Sequence, residues 1–196
     1  MGNINVYIVS YYKHILGEDV DVDTFYALQP LMVMFATFFF PLGNYLVDRL
    51  GGSRPVIAIG GFLALSIVFV CASFKFSPTV FTWLFSFGMG VIKGFLQSSL
   101  LRAGWSHLPE RKGLVTGCII SGYGFGGFIF GNYAQYLANP DNLEYEQDPV
   151  NGQMYLPAEV GKRTPYMLSK LAWTWFIQLM IGLIMITNYS DQRNYQ

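Results

Sequence analysis

Five stretches of this 196-residue chain are almost free of charge, and each is long enough to cross a lipid bilayer. They are residues 24–47, 55–74, 76–101, 113–138 and 171–190, and Lys93 is the one charge inside any of them. A helix rises about 1.5 Å per residue, so about 20 residues cross a hydrocarbon core of about 30 Å. Buried helices of a large soluble protein would need polar sequence to cover them. Here only 12% of residues are charged, against about 25% in an ordinary soluble domain. The expected fold class is therefore an all-α membrane protein, with residues 1–196 forming a single transmembrane helical bundle. Residues 1–12 are also charge-free but would reach only about 18 Å as helix. They read as the second half of a first span (1–16, partial) whose beginning is absent.

The connections between spans alternate in character. One set carries Asp48, Arg49, Arg54, Arg102, Glu110, Arg111, Lys112, Asp191 and Arg193, net +3. The other carries an acidic loop at 18–23, Lys75 and the long segment 139–170, and with Lys13 its net charge is −4. The excess of Lys and Arg places the first set in the cytoplasm or the equivalent organellar compartment. On that reading the sequon Asn188-Tyr189-Ser190 falls on the inner side and stays unmodified. In the segment 139–170, Asn139-Pro140, Asp148-Pro149, Asn151-Gly152 and Thr164-Pro165 are turn and breaker pairs, so an irregular outer connection is expected. No charged n-region of a removable signal is visible. The membrane itself is left open between plasma and organellar, the mitochondrial inner membrane included.

Several activities are excluded or disfavoured by the residues themselves. The net charge is zero, so no polybasic surface points to nucleic acid. Cys71 and Cys118 lie in apolar stretches without metal-ligand spacing and read as small apolar fillers. His14 and His107 are isolated, and no spacing suggests a catalytic set, a metal or a cofactor. The expectation is that the chain is not an enzyme. Gly122-x-Gly124-x-x-Gly127 satisfies a dinucleotide fingerprint, but that motif needs a preceding strand in a βαβ unit, and here it sits inside an apolar run.

Two motifs carry a resemblance. Gly43-Asn44-Tyr45-Leu46-Val47-Asp48-Arg49-Leu50-Gly51-Gly52-Ser53-Arg54 resembles the G-x-L-A-D-R-x-G-R-K loop between the second and third helices of major-facilitator proteins. Trp105-Ser106-His107-Leu108-Pro109-Glu110-Arg111-Lys112-Gly113-Leu114-Val115-Thr116-Gly117, then Ser121-Gly122-Tyr123-Gly124-Phe125-Gly126, is similar to a W-F-P-E-R-R-G-L-A-T-G … A-G-x-G-x-G stretch of oxalate/formate antiporters and monocarboxylate carriers. The resemblance covers nearly the whole chain but half of the parent fold. It implies the N-terminal six-helix bundle of a major-facilitator transporter with a shortened first helix. It also implies an inner-side charge network of Asp48, Arg49, Arg54 and Arg102, and a small organic anion as substrate.

Spacing adds candidates of its own. Gly113/Gly117, Gly122/Gly126 and Gly127/Gly131 each share a helix face and suit close helix packing. Gly90, Lys93, Gly94 and Gln97 also fall on one face. An intramembrane lysine either marks a substrate path, or snorkels toward the inner headgroups or pairs with a structural carboxylate. Gln97, Tyr123, Tyr7 and Gln29 are further substrate-path candidates. Two functions follow. One is transport-related: a carrier of monocarboxylate or oxalate/formate type, half-length and so not competent alone. The other is a non-transporting accessory subunit of a larger membrane complex, derived from a truncated transporter. The expected partners are the bilayer, a second transporter half or subunits of such a complex, and a small organic anion.

Overall fold

The computed structural model describes residues 2–18, 20, 23–148 and 152–186. The sequon and the inner-side charges Asp191 and Arg193 lie outside the described residues, as does the end of the last expected span. Seven helices follow in order: α1 (Gly2–His14), the single turn α2 (Asp23–Tyr26), α3 (Leu28–Arg49), α4 (Ser53–Cys71), α5 (Pro78–His107), α6 (Lys112–Ala138) and α7 (Ala158–Met185). A 3₁₀ turn, Pro109–Arg111, links α5 to α6, and a short hairpin, β1 (Glu146–Gln147) and β2 (Met154–Tyr155), precedes α7. Five of these segments have the length and hydropathy to cross a membrane, and the protein is an integral, multi-pass membrane protein.

Charge-free runs located the spans but not all their ends. The helix α7 begins at Ala158, well before the expected residue 171, and runs through Lys162, Arg163 and Pro165. Absence of charge marks the hydrocarbon portion, whereas a helix keeps its hydrogen bonds in water and projects beyond it. Pro165 is tolerated inside α7 beside Thr164, which is buried and donates to the Tyr7 carbonyl at 3.0 Å. For the same reason α5 continues past residue 101 to His107. The connection from α6 to α7 is thus shorter than expected and carries the β1–β2 pairing.

Helices α3 and α5 run parallel and form the closest pair in the bundle. Ala36 and Phe39 meet Gly90 and Gly94, Gly43 meets Ser98, and Asp48 meets Arg102. A Cβ built on Gly94 would lie 2.8 Å from the Ala36 carbonyl oxygen, so here backbone meets backbone. Helix α4 packs on another side of α5, where Phe95 lies over Gly60 and Ile67 over Gly88. The turn from α3 to α4 needs Gly51, whose φ is +71°, a left-handed conformation that side chains disfavour.

An aromatic core fills one end of the bundle. Tyr12, Phe25 and Phe81 are fully buried, and Phe74 and Phe85 nearly so. Phe81 stacks between Phe74 at 5.2 Å and Phe85 at 5.5 Å, and the Tyr12 hydroxyl donates to the Phe76 carbonyl at 2.9 Å. The hairpin is sewn to the same end. Lys13 pairs with Asp148 at 2.7 Å, Tyr155 donates to the Val20 carbonyl, and the Leu156 N–H donates to Ser10 Oγ. Residues 15–18, 20, 72–77, 139–148 and 152–157 therefore gather at one end, and the loops 50–52 and 108–111 at the other. Cysteines introduced at Arg54 and His107, in a Cys118→Ser background, are expected to react with an impermeant maleimide from one side of the membrane. One at Glu144 should react from the other. Labelling of positions 54 and 107 from opposite sides would refute this arrangement.

Candidate functional site: a cleft beside Lys93

Lys93 is the sixteenth residue of the 30-residue α5 and lies inside its apolar run, on the Arg102 side of that run's midpoint. Its neighbours on the helix settle what its face does. Gly90 and Gly94 are buried against α3, whereas Lys93 is exposed and Gln97 half-buried. The four residues expected to line one polar face are thus divided. The glycines form the floor of the α3–α5 crossing, and Lys93 stands on its shoulder. Side chains four and seven residues apart share a helix face, so Lys93 continues the line of Ser86 and Met89. Among the described residues no carboxylate forms an ion pair with Lys93.

A small cleft opens one turn toward the aromatic end from Lys93. It is lined by Asn5, Leu28, Gln29, Met32, Phe85, Ser86 and Met89. Three helices meet there, held by two hydrogen bonds. Asn5 of α1 donates to the Phe25 carbonyl at 3.2 Å, and Ser86 of α5 donates to the Leu28 carbonyl at 3.1 Å. Gln29 is exposed at its edge, while Met32 and Met89 are each 9% exposed. The cleft combines neutral amides with thioether and aromatic walls, and the nearest cation along α5 is Lys93.

The other sequence candidates fall elsewhere. Tyr7 is 7% exposed within the core. It stands two residues from Asn5, on nearly the opposite face of α1, and its carbonyl is taken by Thr164. It belongs to the α1–α7 seam. Tyr123 is 42% exposed on α6, one turn beyond Ile119, which lies with Val115 against Gly104 of α5. At the inner end Arg102 donates to Asp48 at 2.5 Å and to the Asn44 carbonyl at 2.9 Å. Arg49 turns back on Tyr45, donating from Nε to its hydroxyl at 3.0 Å, and Arg54 is exposed. The expected four-residue network is thus a pair, Asp48–Arg102, with Arg49 engaged locally.

The glycine faces of α6 need correction. Gly113, Gly117, Gly122, Gly126 and Gly127 have nothing within 4 Å of where a Cβ would stand, and Gly131 is half-buried. Helix α6 contacts the bundle instead through Val115, Ile119, Phe130, Ala134 and Ala138. Small residues permit close approach but do not supply a neighbour, and among the described residues none takes the faces of Gly113, Gly117, Gly122, Gly126 and Gly127. Sequence reasoning missed Asn5, Ser86 and Met89. The spacing of Ser86, Met89 and Lys93 at i, i+3, i+7 was the available signal.

The fold and cleft define an α-helical, multi-pass membrane protein with an ammonium group, Lys93, inside the apolar run of α5. Comparison with curated proteins gives a relative, Apicoplast pyruvate carrier 1 of Toxoplasma gondii, 32% identical over 120 residues. The match covers 61% of this chain and 21% of the relative, so the chain spans a small part of that protein's length. No family model and no solved structure matches. The assignment to the monocarboxylate or oxalate/formate group of major facilitators does not hold, since the relative is a pyruvate carrier and no family model supports that group. A helix-end Asp–Arg pair and glycines on apolar helices serve close packing in helix bundles generally, so short motifs built from them identify a membrane bundle more securely than a family.

Proposed function

We propose that this chain forms part of a membrane carrier for small organic anions, pyruvate foremost, in which Lys93 meets the substrate carboxylate. The observation that carries the reading is a lysine at the midpoint of a membrane helix, exposed, with no ion pair among the described residues. A charge at that depth is costly against lipid and persists where water, an anion or another protein answers it. The likeness to a pyruvate carrier supplies the anion class. The exposed face of α6 supports a further membrane element completing the carrier, and an organellar membrane is the natural setting given the relative's name.

That same α6 face favours a second reading, in which the chain is a non-transporting accessory subunit. Uptake of labelled pyruvate into vesicles, holding the chain with its co-purifying partner, separates the two. Carrier activity is expected to fall at least tenfold on Lys93→Gln with assembly intact. Absence of uptake of any mono- or dicarboxylate, together with collapse of a larger complex when the chain is deleted, would favour the accessory role. The same reading assigns Asp48–Arg102 a gating role, some 13 Å along α5 from Lys93.

A further inference from the structure

We propose that the cleft lined by Asn5, Gln29, Met32, Ser86 and Met89 is the subsite for the uncharged end of the substrate, and that it restricts the carrier to short monoanions. This rests on the reading of Lys93 as the carboxylate partner. Met89 precedes Lys93 by one turn, which separates them by about 6 Å along the axis. With the Lys93 side chain extended toward the cleft, an acid whose carboxylate meets it has its other end among the lining residues Met89, Met32 and Gln29. A 2-oxo or short alkyl group suits these walls, because thioethers adapt to apolar shapes and a carbonyl accepts from a side-chain amide.

Two features set the selectivity. The first is charge. The lining offers neutral groups alone, and the next cation inward on α5, Arg102, is already bonded to Asp48. A second carboxylate in the cleft would be desolvated without a partner, which costs far more than burying a methyl group. The second is size. The cleft is small, and its walls Met32 and Met89 are themselves almost fully covered, so a branched chain displaces one of them. Ser86 and Asn5 act as positioning residues, since their hydrogen bonds to the Leu28 and Phe25 carbonyls fix α5 and α1 around the cleft.

The test compares uptake of pyruvate, 4-methyl-2-oxopentanoate and 2-oxoglutarate by the reconstituted chain with its co-purifying partner. Met89→Ala enlarges the cleft and is expected to raise the ratio of branched 2-oxo acid to pyruvate at least tenfold. Gln29→Arg, at an exposed position that leaves the fold intact, is expected to give 2-oxoglutarate uptake absent from the unsubstituted protein. Pyruvate uptake that is lost on Lys93→Gln, with both ratios unchanged by Met89→Ala and Gln29→Arg, would overturn the subsite and leave the carrier reading standing. Full pyruvate uptake by Lys93→Gln, or none by the unsubstituted protein, would overturn both.

Discussion

Gly94→Leu is expected to separate α3 from α5 and to prevent the bundle from assembling. A Cβ at this position would stand 2.6 Å from Phe39 Cβ, 2.8 Å from the Ala36 carbonyl oxygen and 2.9 Å from the Phe39 carbonyl carbon. Two of these are backbone atoms, so no rotamer change relieves the overlap. Overpacking a core ordinarily costs about 1–3 kcal/mol, and contact with rigid backbone puts the loss at or above the top of that range. The Asp48–Arg102 pair, two to three turns inward on the same helix pair, should be lost with it. Unfolding in detergent reports the effect directly. The paired control is Gly124→Leu on α6, where nothing lies within 4 Å and the isolated chain should be nearly indifferent. Equal stability of Gly94→Leu and the unsubstituted protein would mean that the two helices do not touch at this point.

Tyr12→Ala should be the most damaging change at the other end. The ring is fully buried and makes edge or tilted contacts with Phe25, Phe74 and Phe81 at 5.7–5.9 Å. Removing a large buried aromatic side chain costs about 3–5 kcal/mol, the spread reflecting how far the site collapses. Tyr12→Phe keeps the ring and removes only the hydroxyl donated to the Phe76 carbonyl, a loss of about 1 kcal/mol. The difference between the two variants, read in one unfolding assay, separates packing from hydrogen bonding. A Tyr12→Ala effect no larger than that of Tyr12→Phe would show that the aromatic cluster contributes little.

The transmembrane architecture was legible because lipid enforces a rule that can be read residue by residue: a run of 20 or more uncharged residues has few other uses. The rule fails where lipid ends. Arg102, Lys162, Arg163 and Lys170 all lie in helices, yet each is a charge that the run-based reading treats as a boundary or as loop. The hairpin at 146–155 was read as irregular because its anchors are long-range. Ser10, Lys13 and Val20 hold it, and nothing in the local sequence announces them. The candidate site was half legible. Lys93 stands out as a lone charge, but periodicity assigned it to the face of Gly90 and Gly94. A face defined by i, i+3 and i+4 is about 100° wide, enough for one edge to pack against α3 while the other stays open. Which edge does which depends on where α3 crosses, and that is a tertiary fact.

The seam between α1 and α7 bears on how the protein is made. Its hydrogen bonds join residues 146 and 157 positions apart, from Leu156 to Ser10 and from Thr164 to Tyr7. Synthesis proceeds at about 5–20 residues per second, so α1 waits about 8–30 s for its partner. Throughout that interval the Ser10 hydroxyl has only the Val6 carbonyl one turn back, and Asn5 has only what the early helices supply. Until α7 emerges, the first helix can pack only on earlier elements, through contacts such as Asn5 on the Phe25 carbonyl and Tyr12 on Phe81. Docking of α7 on α1 therefore follows the emergence of every helix between them, and a variant lacking α7 would lose this seam while α1 keeps its aromatic contacts with Phe25 and Phe81.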